Sequence, residues 1–130
     1  KQVLTYYVGY LIEYTHMTKK LPFSPIRKVG NLIFTSGQVH LTPEGKLLDG
    51  NIKEKTHQVM KNLQKLLEKE NLTFDNVVKT TIYLKSMGDY GVVNEVYIEY
   101  FDEVFPARET ICVKELPLGA DIEISMIAQQ

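Results

Sequence analysis

Apolar and polar positions follow two different periods along this chain, and the switches between them mark its elements. Leu32 to Ser36 is β-branched and aromatic, with Gly30-Asn31 before it and Gly37 after it. That pattern predicts a strand starting from a turn. Ser24 to Val29 is expected to pair with it as a hairpin whose tip is Gly30-Asn31. Thr42-Pro43-Glu44-Gly45 has turn composition. From Asn51 to Asn71 the period becomes helical. Val59, Leu63, Leu66 and Leu67 form one stripe, which His57 and Met60 extend, with lysines and glutamates between them. Asn51 and Glu54 have capping-box spacing, and Asn71 can end the helix. Asn76 to Lys85 alternates again. It predicts a strand with Val77, Lys79, Thr81 and Tyr83 on one face and Val78, Thr80, Ile82 and Leu84 on the other. After Gly88-Asp89, residues Val93, Val96, Tyr97, Tyr100 and Phe101 recur at helical spacing. They predict a second helix over Tyr90–Glu103, stopped by Pro106. Glu109–Glu115 and Ile122–Ala128 read as two final strands, separated by a loop with Pro117 and Gly119.

The element order is therefore β-β-α-β-α-β-β. Two helices against one mixed sheet of about five or six strands make an α+β two-layer domain. The sheet face without helices must meet water or another subunit. In the last strands Ile122, Ile124 and Met126 form one apolar face, and Ile111 and Val113 form another. The opposite faces carry Arg108, Thr110 and Cys112, and Asp121, Glu123 and Ser125.

Composition narrows the function classes. A chain of 130 residues, 44% hydrophobic and 24% charged, fits one globular domain. Fifteen basic against sixteen acidic residues give a net charge of −1, which offers no footprint for broad nucleic-acid binding. The single cysteine excludes an internal disulfide and fits a reducing, cytoplasmic setting. His16, His40 and His57 lie far apart, without metalloprotease spacing. No apolar run approaches the ~20 residues of a membrane span. The tyrosine-rich Lys1–Met17 reads as an N-terminal extension rather than a signal peptide, since Glu13 follows its apolar part and no small-residue cleavage site appears. Residues 18–130 are the expected single domain.

Several polar residues admit two readings each. Arg108 follows Phe105-Pro106-Ala107, so its backbone is fixed at a strand start. It is either a bidentate clamp for a carboxylate or a surface residue paired with an acid. Glu123, between Ile122 and Ile124, is either a partly buried base that orients water or an exposed strand residue. Cys112, with no histidine near it in sequence, reads as packing rather than as a nucleophile. Gly37 could leave backbone N–H groups accessible to an anion. Spacing alone does not bring Arg108 and Glu123 into one pocket.

Three ordered segments carry a resemblance: VGNLIFTSGQV (Val29–Val39), VVKTTIYLKSMGDYGVVNEVYIEYF (Val77–Phe101) and PARETICVKELPLGADIEISMIA (Pro106–Ala128). Together they resemble the RidA/YjgF family of enamine/imine deaminases, over about Lys20 to Gln129. The resemblance implies a chorismate-mutase-like α+β fold and a homotrimer with clefts between subunits. It implies hydrolysis of 2-imino acids, such as 2-iminobutanoate and 2-iminopropanoate, and of their enamine tautomers, to 2-oxo acids and ammonia. No metal or organic cofactor is implied. By the same resemblance Arg108 binds the substrate carboxylate and Glu123 positions water. Ser36 and Gly37 line the cleft, and Asn94 lies near it. Backbone groups of Leu116–Ala120 or Gly37 could aid proton transfer. Two positions depart from the family pattern: Phe23 stands where a tyrosine is usual, and Thr110 where a cysteine is usual. Cys112 does not inherit that cysteine's role. The alternative readings are an endoribonuclease on single-stranded RNA or translation inhibitor, and a non-catalytic trimer that binds small acids or acts as a chaperone.

Overall fold

The central strand of the sheet is the last one in sequence. The computed structural model describes residues 21–130, so the expectation for Lys1–Met17 lies outside the described residues. The strands are β1 (Ile26–Val29), β2 (Leu32–Thr35), β3 (Gln38–Val39), β4 (Val77–Leu84), β5 (Ala107–Cys112) and β6 (Ile122–Gln129), and the helices are α1 (Ile52–Lys69) and α2 (Tyr90–Ile98). The sheet order is β1-β2-β6-β4-β5, with β3 also on β6. All pairs are antiparallel except β4 with β5. The expected α+β architecture, with two helices on a mixed six-stranded sheet, is what forms.

Burial follows from the two-residue period of β6. Ile122, Ile124, Met126 and Ala128 are buried under the helices, while Glu123, Ser125 and Ile127 lie on the other face and are only half-buried. From α1, Val59, Met60, Leu63 and Leu67 close over this face, and α2 adds Val93 and Tyr97. The predicted capping box closes α1: the Asn51 side chain accepts from Glu54 N–H at 2.9 Å, and the Glu54 carboxylate accepts from Asn51 N–H at 3.1 Å. Asn71 takes φ +59° just beyond the helix, the left-handed residue that ends it. The tip of the first hairpin is Gly30-Asn31, with Gly30 at φ +58°. No described helix is long and apolar enough to cross a membrane.

Three expectations are corrected. A register shift between Val77 and Lys79 moves Val77 to the helix side with Thr80, Ile82 and Leu84, and leaves Val78 exposed. The second helix ends at Ile98, not Glu103. There the N–H groups of Glu99, Tyr100 and Phe101 turn to carbonyls three residues back, and Phe101 folds inward against Tyr97, with ring centroids 4.6 Å apart. The third correction concerns β5, expected over Glu109–Glu115 with Ile111 and Val113 on one apolar face. It spans Ala107–Cys112 because it pairs with β4 from Lys79 to Leu84, and Ile111 is 44% exposed. Register places Arg108, Thr110 and Cys112 beside Thr80, Ile82 and Leu84, on the helix side. Ile111 lies beside Tyr83 on the open side.

His40 locks the start of β6. Its Nδ1 lies 3.1 Å from the Leu48 carbonyl, and its Nε2 accepts from the Asp121 N–H at 3.1 Å. Only the neutral ring with its proton on Nδ1 satisfies both groups. Burial, helped by the positive charge of Lys55, holds the pKa below the ordinary 6.5. Lys55 itself pairs with the Asp121 carboxylate at 2.6 Å. A histidine whose folded pKa is depressed contributes stability that is fully present above the unfolded value and lost as pH falls through the folded one. Unfolding measured against pH should therefore show a stability decline beginning below about 6.5. His40→Leu leaves two backbone groups unpaired and should cost on the order of 1–3 kcal/mol at neutral pH. It should also remove that acid limb, and an identical limb in the variant would exclude His40 as its source.

Candidate functional site

The first half of the site is made by a bulge opposite Glu123. Between the paired residues Phe34 and Gln38, β2 and β3 supply three residues (35–37), whereas β6 supplies two (125–126) between Ile127 and Ile124. The extra residue bends the strand at Ser36-Gly37. Thr35 supplies the lost ladder bond, its Oγ1 accepting from Met126 N–H at 2.9 Å. Ser36 donates its N–H to the Pro25 carbonyl at 2.9 Å and its hydroxyl to the Ser24 carbonyl at 2.5 Å. The serine thus ties the chain before β1 to the bulge, and Phe23 stands exposed just ahead of that tie. Gly37 has no side chain because Glu123 occupies the space. A Cβ there would lie 2.7 Å from Glu123 Cδ and 3.0 Å from its Cγ. The carboxylate is half-buried and makes no hydrogen bond or ion pair among the described residues. Desolvation raises its pKa above the ordinary glutamate value.

The second half is an arginine cradle at the sheet edge. Arg108 Nη2 donates to the Tyr90 hydroxyl at 3.2 Å. Its guanidinium carbon lies 5.0 Å from the Tyr97 ring centroid and 5.6 Å from that of Tyr90, within cation–π range. Tyr97 is fixed in turn by its hydroxyl, which donates to Thr80 Oγ1 at 2.9 Å. Tyr90, Asn94 and Tyr97 recur at helical spacing on one face of α2, so Asn94 sits between the two tyrosines that hold Arg108. Thr110 follows Arg108 on the same face of β5. Asn94 Oδ1 and Thr110 Oγ1 are both enclosed, and neither has a hydrogen-bond partner. Unpaired buried polar atoms are rare in folded chains. Two of them flank an arginine that has no acidic partner among the described residues.

These halves do not meet within one chain. Arg108, beside Thr80, whose partner on β6 is the buried Met126, projects to the helix side, while Glu123, beside Tyr83, projects to the open side. Cys112 is exposed, its thiol 3.6 Å from the Lys85 carbonyl, and belongs to neither half. Sequence reasoning did not pick out Tyr90 and Tyr97 as the walls of the arginine cradle. The signal available was their spacing around Asn94, which reads equally well as a core stripe.

Comparison with known proteins decides the relationship. A family model described as Endoribonuclease L-PSP matches residues 15–130. The chain belongs to the RidA/YjgF family. It is 44% identical over 110 residues to a 2-iminobutanoate/2-iminopropanoate deaminase of Mus musculus, covering 84% of this chain and 82% of that one. It is 44% identical over 108 residues to the chloroplastic Reactive Intermediate Deaminase A of Arabidopsis thaliana, covering 82% of this chain and 58% of that one. The crystal structure of RidA from an Antarctic Psychrobacter superposes with a TM-score of 0.81 at 32% identity, over 87% of this chain and 92% of that one.

Within this RidA/YjgF chain the distinctive contact is Gly37 against Glu123. A carbon NMR titration should place the Glu123 carboxyl midpoint above the ordinary value of 4.5. Gly37→Ala should push the carboxylate outward into water and bring the midpoint down toward that value. An unchanged midpoint would mean that Gly37 does not set the position of the acid.

Proposed function

We propose that this chain hydrolyses 2-imino acids and their enamine tautomers to 2-oxo acids and ammonia. The observation that carries the proposal is the Arg108 cradle: a guanidinium with no acidic partner among the described residues, held by two tyrosines and flanked by the unpartnered Asn94 and Thr110 atoms. A planar carboxylate is the natural ligand of such a fork. The names of the mouse and Arabidopsis relatives support the same reading.

The site is assembled between subunits of a homotrimer. Arg108 and Glu123 lie on opposite faces of one sheet, so a shared pocket requires a second copy. The open face offers an apolar surface for that contact, with Val29 62%, Phe34 38% and Ile111 44% exposed. A cyclic contact would set Glu123 and Gly37 of one subunit against Arg108 of the next.

The chemistry asks little more of the protein. Arg108 fixes the carboxylate, and an enamine first takes a proton at C3 to become the iminium. Glu123 removes a proton from water as the oxygen bonds to C2 and the C=N π pair moves to nitrogen. The resulting carbinolamine gains a proton on nitrogen. Its C–N bond then breaks, ammonia leaves, and loss of the hydroxyl proton leaves the 2-oxo acid. Half-burial of Glu123 suits this shuttle, because a raised pKa makes it a better base. An endoribonuclease reading, which the family description suggests, has less support. His40 has both ring nitrogens engaged, and His57 is bonded to the Tyr100 hydroxyl at 2.7 Å.

In a coupled assay with threonine dehydratase, the wild-type chain should accelerate ammonia release. Arg108→Ala should lose on the order of 100-fold or more in kcat/KM while remaining folded. The rate should fall as pH drops through a midpoint above 4.5, because Glu123 acts in its ionised form. No acceleration by the wild-type chain would overturn the deaminase reading. Gel filtration should give a particle of three 14.9 kDa chains; a monomer would remove the intersubunit site.

A further inference from the structure

Beyond the Arg108 fork, the cradle contains a hydroxyl whose proton none of the described residues accepts. The Tyr90 oxygen accepts from Arg108 Nη2 at 3.2 Å. Its own O–H proton has no acceptor among the described residues. Tyr90 is 39% exposed, so this hydroxyl is open to an arriving ligand. Its ring is also held in place, because Arg108 lies over it as well as over Tyr97.

We infer that Tyr90 is a second ligand of the substrate carboxylate, and thereby a residue that selects 2-carboxylates over neutral carbonyl compounds. The inference rests on the reading of Arg108 as the carboxylate clamp. The geometry follows from the shared contact. Arg108 has five N–H donors, and Tyr90 occupies only one of them. A carboxylate received on the remaining donors beside Nη2 has one oxygen next to the phenol. The Tyr90 O–H can then donate to that oxygen while its lone pair keeps Nη2 in place. An O–H donor to a carboxylate is among the stronger hydrogen bonds. A neutral amide or ester offers a weaker acceptor and gains less. Tyr97 cannot serve in this way, because its hydroxyl donates to Thr80.

Binding separates this role from mere support of the arginine. The probes are 2-oxobutanoate and its neutral amide, titrated by NMR into the wild-type protein and into Tyr90→Phe. The phenylalanine keeps the ring under Arg108 and removes only the hydroxyl. It should weaken 2-oxobutanoate about tenfold and change amide binding less than twofold. In the coupled imine assay the loss should fall mainly on KM, with kcat largely kept, since the bond exists in the bound substrate as well as the transition state. Tyr90→Leu removes the ring too and should weaken 2-oxobutanoate at least as much. If Tyr90→Phe binds 2-oxobutanoate as tightly as wild type, or loses both probes equally, the inference is overturned. If wild type binds 2-oxobutanoate without accelerating imine hydrolysis, the deaminase reading falls, and Tyr90 is still judged by the two titrations. If wild type does not bind 2-oxobutanoate at all, the clamp and Tyr90 fall together.

Discussion

The rest of the structure depends on strand β6 being held in one register. A strand presents its side chains alternately to its two faces, so a shift of one residue would exchange them all. With Ile122, Ile124 and Met126 buried under the helices, Glu123 has only the open face available. Several contacts oppose a shift. β2, β3 and β4 pair with β6 along its length. His40 takes the Asp121 N–H, and Thr35 takes that of Met126. The same hydrogen bonds that complete the core thus fix the position of the carboxylate.

The arginine obeys a different constraint. Among the described residues β5 is an edge strand, paired with β4 alone and parallel to it. Parallel pairing requires a crossover, and α2 supplies it. The helix that makes the crossover also brings Tyr90, Asn94 and Tyr97 alongside Arg108. The cradle is therefore a consequence of topology: the element that connects β4 to β5 walls the arginine at the start of β5. This arrangement leaves two polar atoms, on Asn94 and Thr110, enclosed without partners. Such groups are rare in native folds, and these two lie on the elements that hold Arg108.

Much of the fold was legible in the sequence because its signals are local. The capping box at Asn51, the left-handed Asn71, the hairpin tip at Gly30-Asn31 and the alternation in β6 each act over a few residues, and each appears as read. The errors came where the cause was distant. Val77 changes face because of a register shift against β6. Ile111, on the apolar face of an alternating strand, is 44% exposed, because none of the described helices covers that face. The candidate residues themselves were reached through whole-segment resemblance. Periodicity could place Arg108 and Glu123 on strands without indicating their neighbours.

The sequence by itself determined every element but the two-residue β3, because periodicity, caps and turn residues are properties of short segments, and three long segments carried the family by resemblance. It also marked Arg108 and Glu123 as the charged residues to consider. Only the tertiary structure decided that they lie on opposite sides of the sheet. That outcome depends on β5 joining β4 in parallel, while β6 lies antiparallel on the other side of β4. Strand partners are chosen by the packing of the whole chain, and no short segment encodes them. The two tyrosines around Arg108, and the glycine that makes room for Glu123, became visible for the same reason.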